Sequence, residues 1–311
     1  MLPRSKPSPR LIVTADDFGL SPGVDEGILE AFRCGIVSST ALLVNFPDAA
    51  EAVVRLGQEP NLEVGLHLNL TAGPPVLPPM RVASLVGANG TFHNFTAFFA
   101  QAALSRINWN EVALEWRAQF ERGLDLGCQF TFVNSHQHVH MLPEAARICS
   151  QLANEFGVGP IRLSNFGFSN VLWPLSLKAL ALNPFVPAVR RIFKKDRVFF
   201  AGSIFEIPPG KCDSALRRVS NRIRGLGAGT HELVCHPAHI DSVLRSRDPY
   251  VAGRSIELHV LTDARLRQCM EESGIRKTTF AELVGGIAGS RAQIAPVLPV
   301  EKPWRAIVRT S

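Results

Sequence analysis

Four short apolar runs in this sequence end in residues that carry chemistry, and that repetition narrows the folds open to the chain. Leu11–Ala15 (LIVTA) runs into Asp16 and Asp17, and Glu63–Leu70 (EVGLHLNL) holds His67. Gln129–Asn134 (QFTFVN) runs into Ser135-His136-Gln137-His138-Val139-His140, and the run from Leu233 ends at His236, closed by Pro237. Each has the length and composition of a buried strand. Ile36–Asn45 and Pro160–Leu163 read as further strands. Stretches with helical spacing lie between them: Pro22–Cys34, stopped by Gly35, then Pro47–Leu56, Phe95–Ser105, Trp109–Leu126, and a helix opening after Pro143. Asp213–Arg224, Arg254–Glu271 and Thr279–Ile287 complete the series. Repeated alternation of strand and helix is the pattern of a parallel α/β fold. In a parallel barrel the carboxyl ends of all strands share one face, whereas an open sheet gathers polar groups only near a switch point. Polar residues at four strand ends therefore predict a (β/α) barrel of the TIM type. The first strand is not followed by a GxGxxG turn, which argues against a dinucleotide-binding sheet.

With 311 residues, 46% hydrophobic and 19% charged, the chain can bury one large core, and a single domain over 1–311 is the simplest division. The net charge of +6 is spread along the chain and no zinc finger or other nucleic-acid motif is present, so no nucleic-acid partner is expected. Six cysteines lack CxxC or framework spacing, which predicts reduced thiols and a cytoplasmic location. The basic N-terminus has no apolar signal-peptide core. The most apolar window, Val171–Val189, is interrupted by Lys178, Pro174, Pro184 and Pro187, so no transmembrane span is predicted. Pro74–Asn94 is a long Pro/Gly-rich loop, a kind of segment that is usually functional or mobile.

The chemistry follows from residue type and place. Adjacent Asp16 and Asp17 cannot face the same way on a regular strand unless the strand is already turning there. One could then hold a metal while the other handles a proton. His136, His138 and His140 share one face if their segment is extended, and together with His67 they form a candidate metal-binding set. One Asp with two His leaves coordination positions open for water, the layout of a hydrolytic site. The other Asp would serve as general base and His236 as general acid. The residues alone do not choose among the three alternating histidines. No GxSxG elbow is present and no cysteine sits in a recognisable catalytic setting.

At these residues the chain resembles the YdjC/ChbG family of carbohydrate deacetylases, which includes the hopanoid-associated HpnK proteins. The matching stretches are TADDFG at 14–19, GLHLNLT at 65–71, SHQHVHMLP at 135–143 and CHPAH at 235–239, with Tyr250, Arg254 and Glu257-Leu258 beyond them. The resemblance implies a distorted or incomplete (β/α) barrel and metal-dependent removal of acetyl from N-acetylated amino sugars, in an oligosaccharide or a glycolipid. It implies that Asp17, His67 and His136 bind one divalent ion, magnesium or zinc, and that Asp16 is the base. His138, Tyr250 and Arg254 are expected on the substrate side. The chain departs from the family at Asn134, where many members carry Asp; Asn can still accept a hydrogen bond but supplies no charge.

Residues 165–200 combine aromatics with Arg190, Arg191, Lys194, Lys195 and Arg197. Two readings apply: a helical insertion that packs on the barrel or forms a homodimer contact, and a border of the active-site mouth that touches a membrane surface if the substrate is lipid-linked. The tail 288–311 has no clear period. The competing functions are a sugar-binding or regulatory protein that keeps the metal site without turnover, and a metal-dependent phosphoesterase or isomerase. The lack of a Gly-rich phosphate loop weighs against phosphate chemistry.

Overall fold

In the computed structural model, which describes residues 8–165 and 181–288, strands and helices alternate as the sequence predicts. The order begins β1 (Arg10–Phe18), α1 (Pro22–Arg33), β2 (Ser39–Leu42), α2 (Ala49–Leu56), β3 (Glu63–Leu68), α3 (Phe95–Ala103), α4 (Trp109–Asp125), β4 (Val133–Ser135) and α5 (Pro143–Glu155). It continues with α6 (Val186–Lys195), β5 (Ser203–Glu206), α7 (Cys212–Arg224), β6 (Thr230–Cys235), α8 (Ser242–Arg247), α9 (Ala252–Thr262), α10 (Ala264–Glu272), β7 (Arg276–Lys277) and α11 (Phe280–Ala288). All pairings between these strands are parallel, in the order β4-β3-β2-β1-β6-β5. β7 pairs with β1 at Arg10 and Leu11, and β2 takes over the same edge from Thr14. Beyond β4, single parallel bridges join Val133 to Ile161 and Pro160 to Phe199, a few residues before β5. The sheet thus curls into a distorted barrel with the helices around it.

Alternation along the strands sorts their side chains into two environments. Leu11, Val13 and Ala15 of β1 belong to the large core between sheet and helices. Ile12 belongs instead to a small interior cluster with Ala41, Phe132, Phe280 and Leu283. On the same face as Ile12, Thr14 donates to Glu232 of β6 and Asp16 stands at the strand's end. β3 repeats the scheme with Glu63, Gly65 and His67. A side chain at Gly65 would stand 2.5 Å from the Phe132 ring, so glycine there makes room for the Phe132–Phe280 stack, centroids 4.4 Å apart. The inner face therefore runs from an aromatic plug at the amino ends of the strands to polar groups at their carboxyl ends. Gly27 plays a comparable part outside: a Cβ would lie 2.5 Å from Ala238 Cα, so only glycine lets α1 approach the loop that carries His236.

Several expected elements differ in extent. Of Gln129–Asn134, only Val133 and Asn134 fall within the regular strand, although Thr131 N–H donates to Val64 O and Leu66 N–H to Phe132 O. Pro160–Leu163 makes bridges in place of a strand, as Pro160 has no N–H to contribute to a ladder. The helix expected over Arg254–Glu271 is two, broken at Asp263, whose side chain caps α10 by accepting from Arg265 N–H. β5, β7 and α8 are too short to show a period in the sequence. The Pro74–Asn94 loop is pinned to α4: buried Glu115 accepts from Val76 and Leu77 N–H, and Glu111 accepts from Ser84 N–H. In the 165–200 segment, α6 buries Val186, Val189 and Phe193, and neighbouring Asp196 accepts from Ser150 of α5. Phe166, Phe168 and Trp173 lie outside the described residues, as does the tail from 289. Among the described residues no helix is long and apolar enough to cross a membrane.

The aromatic plug depends on Glu63, whose carboxylate accepts from the backbone N–H groups of Phe280 and Ala281 and from Ser39 Oγ. Glu63→Ala leaves these donors without their partner and should lower the unfolding free energy by about 1–3 kcal/mol in urea titration. Metal affinity should stay near wild type, because Glu63 lies at the strand end opposite His67.

Candidate active site

The two aspartates reach one cavity through a bulge. β1 pairs Ala15 with Thr40 and then Phe18 with Leu42, three steps on β1 against two on β2. The extra residue is absorbed at Asp17, whose φ of 74° lies in the left-handed region. The turning strand that the Asp-Asp pair requires is present, and both Asp16 and Asp17 line the cavity at the carboxyl ends of the strands.

Asp16 is clamped from two sides. Arg162 Nη1 donates to its Oδ2 at 2.5 Å and Nη2 to its Oδ1 at 3.0 Å. Asn134 Nδ2 donates to Oδ1 at 2.9 Å. Burial alone would raise this carboxyl, but the Arg162 charge and its hydrogen bonds outweigh burial and hold the pKa at about 2. Asp16 is thus ionised at any working pH. Arg162 is itself buried and also donates, through Nε and Nη2, to Glu232 Oε1.

Asp17 divides its two oxygens. Oδ2 accepts from Arg254 Nη2 at 2.6 Å, while Oδ1 lies 3.2 Å from His67 Nε2 and 2.9 Å from His136 Nδ1. Against the cost of burial, His136 and Arg254 keep this carboxyl well below the usual carboxylate range. His67 has a defined tautomer. Asn134 Nδ2 is used on Asp16, so Asn134 Oδ1 accepts the His67 Nδ1–H at 2.6 Å and leaves Nε2 as a lone pair. That Nε2 is buried with no hydrogen-bond partner among the described residues. Asp17, His67 and His136 offer ligand atoms within 4.8 Å of one another, the single such group among the described residues. One carboxylate oxygen, two imidazole nitrogens and an unused buried lone pair are a donor set that fits a divalent cation.

The other two histidines of the motif do not share a face with His136. Gln137 (φ 53°) and His138 (φ 60°) both take left-handed backbone, so the segment is a tight turn and not extended. His140 points away from the cavity: its Nε2–H donates to Arg162 O and its Nδ1 lies 2.5 Å from Ser135 Oγ. Burial and the neighbouring His138 push its pKa well below normal, so it stays neutral. His138 lines the cavity, with Nδ1 2.9 Å from Ser164 Oγ and Nε2 3.9 Å from Glu206.

Across the cavity, His236 follows β6. Glu257 accepts its backbone N–H at 2.5 Å and lies 3.8 Å from its Nδ1. Burial works against the imidazolium, but Glu257 lifts the His236 pKa to about 9. Tyr250 Oη donates to the other Glu257 oxygen at 2.6 Å. Tyr250 and Arg254 also line the cavity, and Arg254 is held by Asp17, Asp248 and Tyr250 O. Of the candidate residues read from the sequence, the structure brings eight to one cavity and leaves His140 outside it. Arg162, Glu232 and Glu206 had no motif to mark them: Arg162 lies inside the short Pro160–Leu163 run with no acidic or histidine neighbour beside it, and Glu206 ends the unforeseen β5. No described residue of 181–200 is among those lining the cavity.

A family model described as YdjC-like protein matches residues 10–272 of this chain. The chitooligosaccharide deacetylase of Yersinia enterocolitica is 34% identical over 273 residues, covering 88% of this chain and 98% of its own length. The carbohydrate deacetylase of Geobacillus stearothermophilus is 36% identical over 274 residues, covering 87% and 96%. Among solved structures, a putative cellobiose-phosphate cleavage protein of Enterococcus faecalis V583 superposes with a TM-score of 0.73 at 26% identity, covering 89% of this chain and 99% of that one.

The orientation of His67 rests on Asn134. Asn134→Ala should weaken zinc binding by about 10–100-fold in competition with a chromogenic chelator, with the fold retained by circular dichroism. An unchanged affinity would show that Asn134 does not orient a ligand.

Proposed function

This chain belongs to the YdjC-like protein family, and we propose that it is a metal-dependent hydrolase that removes acetyl groups from N-acetylated amino-sugar oligosaccharides. The observation that carries the reading is the cavity itself. A three-residue donor set, Asp17, His67 and His136, stands between Asp16, clamped by Arg162 and Asn134, and His236, backed by Glu257. The names of the deacetylase relatives supply the substrate class.

A divalent ion bound by Asp17, His67 and His136 supplies a Lewis acid at that point. Asp16 takes a proton from the attacking water as it adds to the acyl carbon. Its low pKa makes it a weak base, but it is present as carboxylate in every molecule, and its position is fixed by Arg162 and Asn134. His236 gives a proton to the amide nitrogen as the C–N bond breaks, leaving acetic acid and a free amine, which part as acetate and ammonium at neutral pH. The proton on Asp16 then returns through solvent to His236. Glu257 keeps His236 charged until that step and Tyr250 holds Glu257 in place.

Acetate release and free-amine formation from N-acetyl chitooligosaccharides test the reading. Activity should vanish on treatment with a chelator and return on adding a divalent ion. Asp16→Asn should retain metal and fold while kcat falls by on the order of a hundred- to ten-thousand-fold. Metal bound with no turnover of any acetylated sugar would replace the enzyme by a binding protein.

The acid limb of the mechanism has a pH signature. A raised His236 pKa keeps the acid form present below about 9, so kcat/KM should fall only as pH rises through that value. Glu257→Gln removes the charge that raises it, and the basic limb should move to lower pH, toward or below the ordinary histidine value of roughly 6.5. A limb that stays in place would remove His236 from the proton transfer.

A further inference from the structure

Five carboxylates line the cavity: Asp16, Asp17, Glu206, Asp248 and Glu257. Asp16, Asp17 and Glu257 are buried and already have places in the hydrolysis. The Asp248 side chain is 15% exposed, and its oxygens accept from Arg254 Nη2 and from Tyr250 N–H. Glu206 is the most open of the five, at 18%. No step of the hydrolysis uses it.

Strand register directs Glu206 inward. β5 runs parallel to β6 with Ile204 against Glu232 and Glu206 against Val234. Residues paired in register share a face, and Glu232 is on the inner face, where Thr14 donates to it. Phe205 and Leu233, in between, belong to the core outside the sheet. Glu206 therefore faces the barrel mouth on the strand next to His236, which follows Val234 by two residues. Its carboxylate lies 3.9 Å from His138 Nε2. Its charge also reaches Tyr250: burial and Glu257, and then Glu206, raise that hydroxyl above its ordinary pKa.

His236 gives its proton to the amide nitrogen, so the sugar that carries this nitrogen lies on the His236 side, and the acyl group on the side of the donor set. Glu206 is thus a neighbour of the sugar and not of the acetyl group. Among the described residues that line the cavity there is no lysine, and Arg254 is the one arginine. Its Nε and Nη2 are engaged by Tyr250 O, Asp17 and Asp248. A phosphate on the sugar would find no bidentate partner there. It would meet the Glu206 carboxylate in a partly dehydrated site, where like charges repel more strongly than in water. A sugar hydroxyl or a protonated amine would donate to the same carboxylate. Resting on the deacetylase reading above, we infer that Glu206 is a specificity-determining residue that restricts the site to N-acetyl sugars without an anionic group beside the reacting acetamide, and so excludes sugar phosphates by charge. The selection is a repulsion built against the wrong substrate.

The test compares N,N′-diacetylchitobiose with its phosphate monoester at the primary hydroxyl, on the metal-loaded protein. Wild-type kcat/KM should be lower for the phosphate, and the gap should narrow as salt is raised. Glu206→Gln should raise the value for the phosphate by about tenfold and should not raise that for the neutral sugar. Glu206→Lys should raise the phosphate value further. A gain on one substrate alone is a result that a damaged fold does not give. Calorimetric binding of cellobiose and its phosphate monoester, which carry no acetyl group, makes the same comparison without turnover. A wild-type preference for the phosphate would overturn the inference and leave the deacetylase reading standing. So would a phosphate value that rises in neither variant, or that rises equally with the neutral one. Wild-type protein that cleaves neither acetylated sugar would overturn the deacetylase reading, and the binding pair would then decide on Glu206 alone.

Discussion

A guanidinium with no access to water must be neutralised where it sits, and Arg162 is neutralised by the site. It is 0% exposed and lies between Asp16 and Glu232, one carboxylate from β1 and one from β6. Breaking such a buried pair by removing one partner costs about 3–5 kcal/mol, although the intact pair is weak evidence for net stability. The pair's larger effect is to fix Asp16 in place. Its backbone is fixed as well: Arg162 N–H donates to Val133 O and its carbonyl accepts from His140. The last histidine of the His-x-His-x-His motif therefore acts on the base through Arg162, while the first stands beside Asp17. Asp16 also ties stability to acid. Its pKa of about 2 is depressed from roughly 3.9 in an unfolded chain, so its contribution is complete above the unfolded value and is lost as pH falls through the folded one.

Much of this could be read from the sequence. Polar residues at the ends of four apolar runs identified the barrel and the face that carries the site, because parallel strands put their carboxyl ends together. The Asp-Asp pair implied a local turn, and the turn is there. What could not be read falls under two physical causes. β5, of four residues, has no period, so Glu206 lacked a strand to place it, and Arg162, within the expected Pro160–Leu163 strand, had no motif to mark it as the partner of Asp16. The geometry of the histidine motif was hidden for a different reason. Alternation puts His136, His138 and His140 on one face only if the backbone is extended, and two left-handed residues separate them. Neither Gln137 nor His138 is a glycine, so nothing in the residue types announced that turn. Tertiary contacts made by Ser135, Ser164 and Arg162 hold it, and these are far apart in the chain or silent as motif members.

The bulge at Asp17 separates two properties that usually travel together. Pairing on either side of it, Ala15 with Thr40 and Phe18 with Leu42, is ordinary parallel ladder. A chain shorter by one residue between Ala15 and Phe18 could therefore pair β1 with β2 without interruption, keep the core made by Leu11, Val13 and Phe18, and still curl into the same barrel. It would keep one carboxylate in the cavity where there are now two. Loss of chemistry here needs no loss of fold, and a relative could carry the whole architecture as a scaffold while differing by a single backbone step.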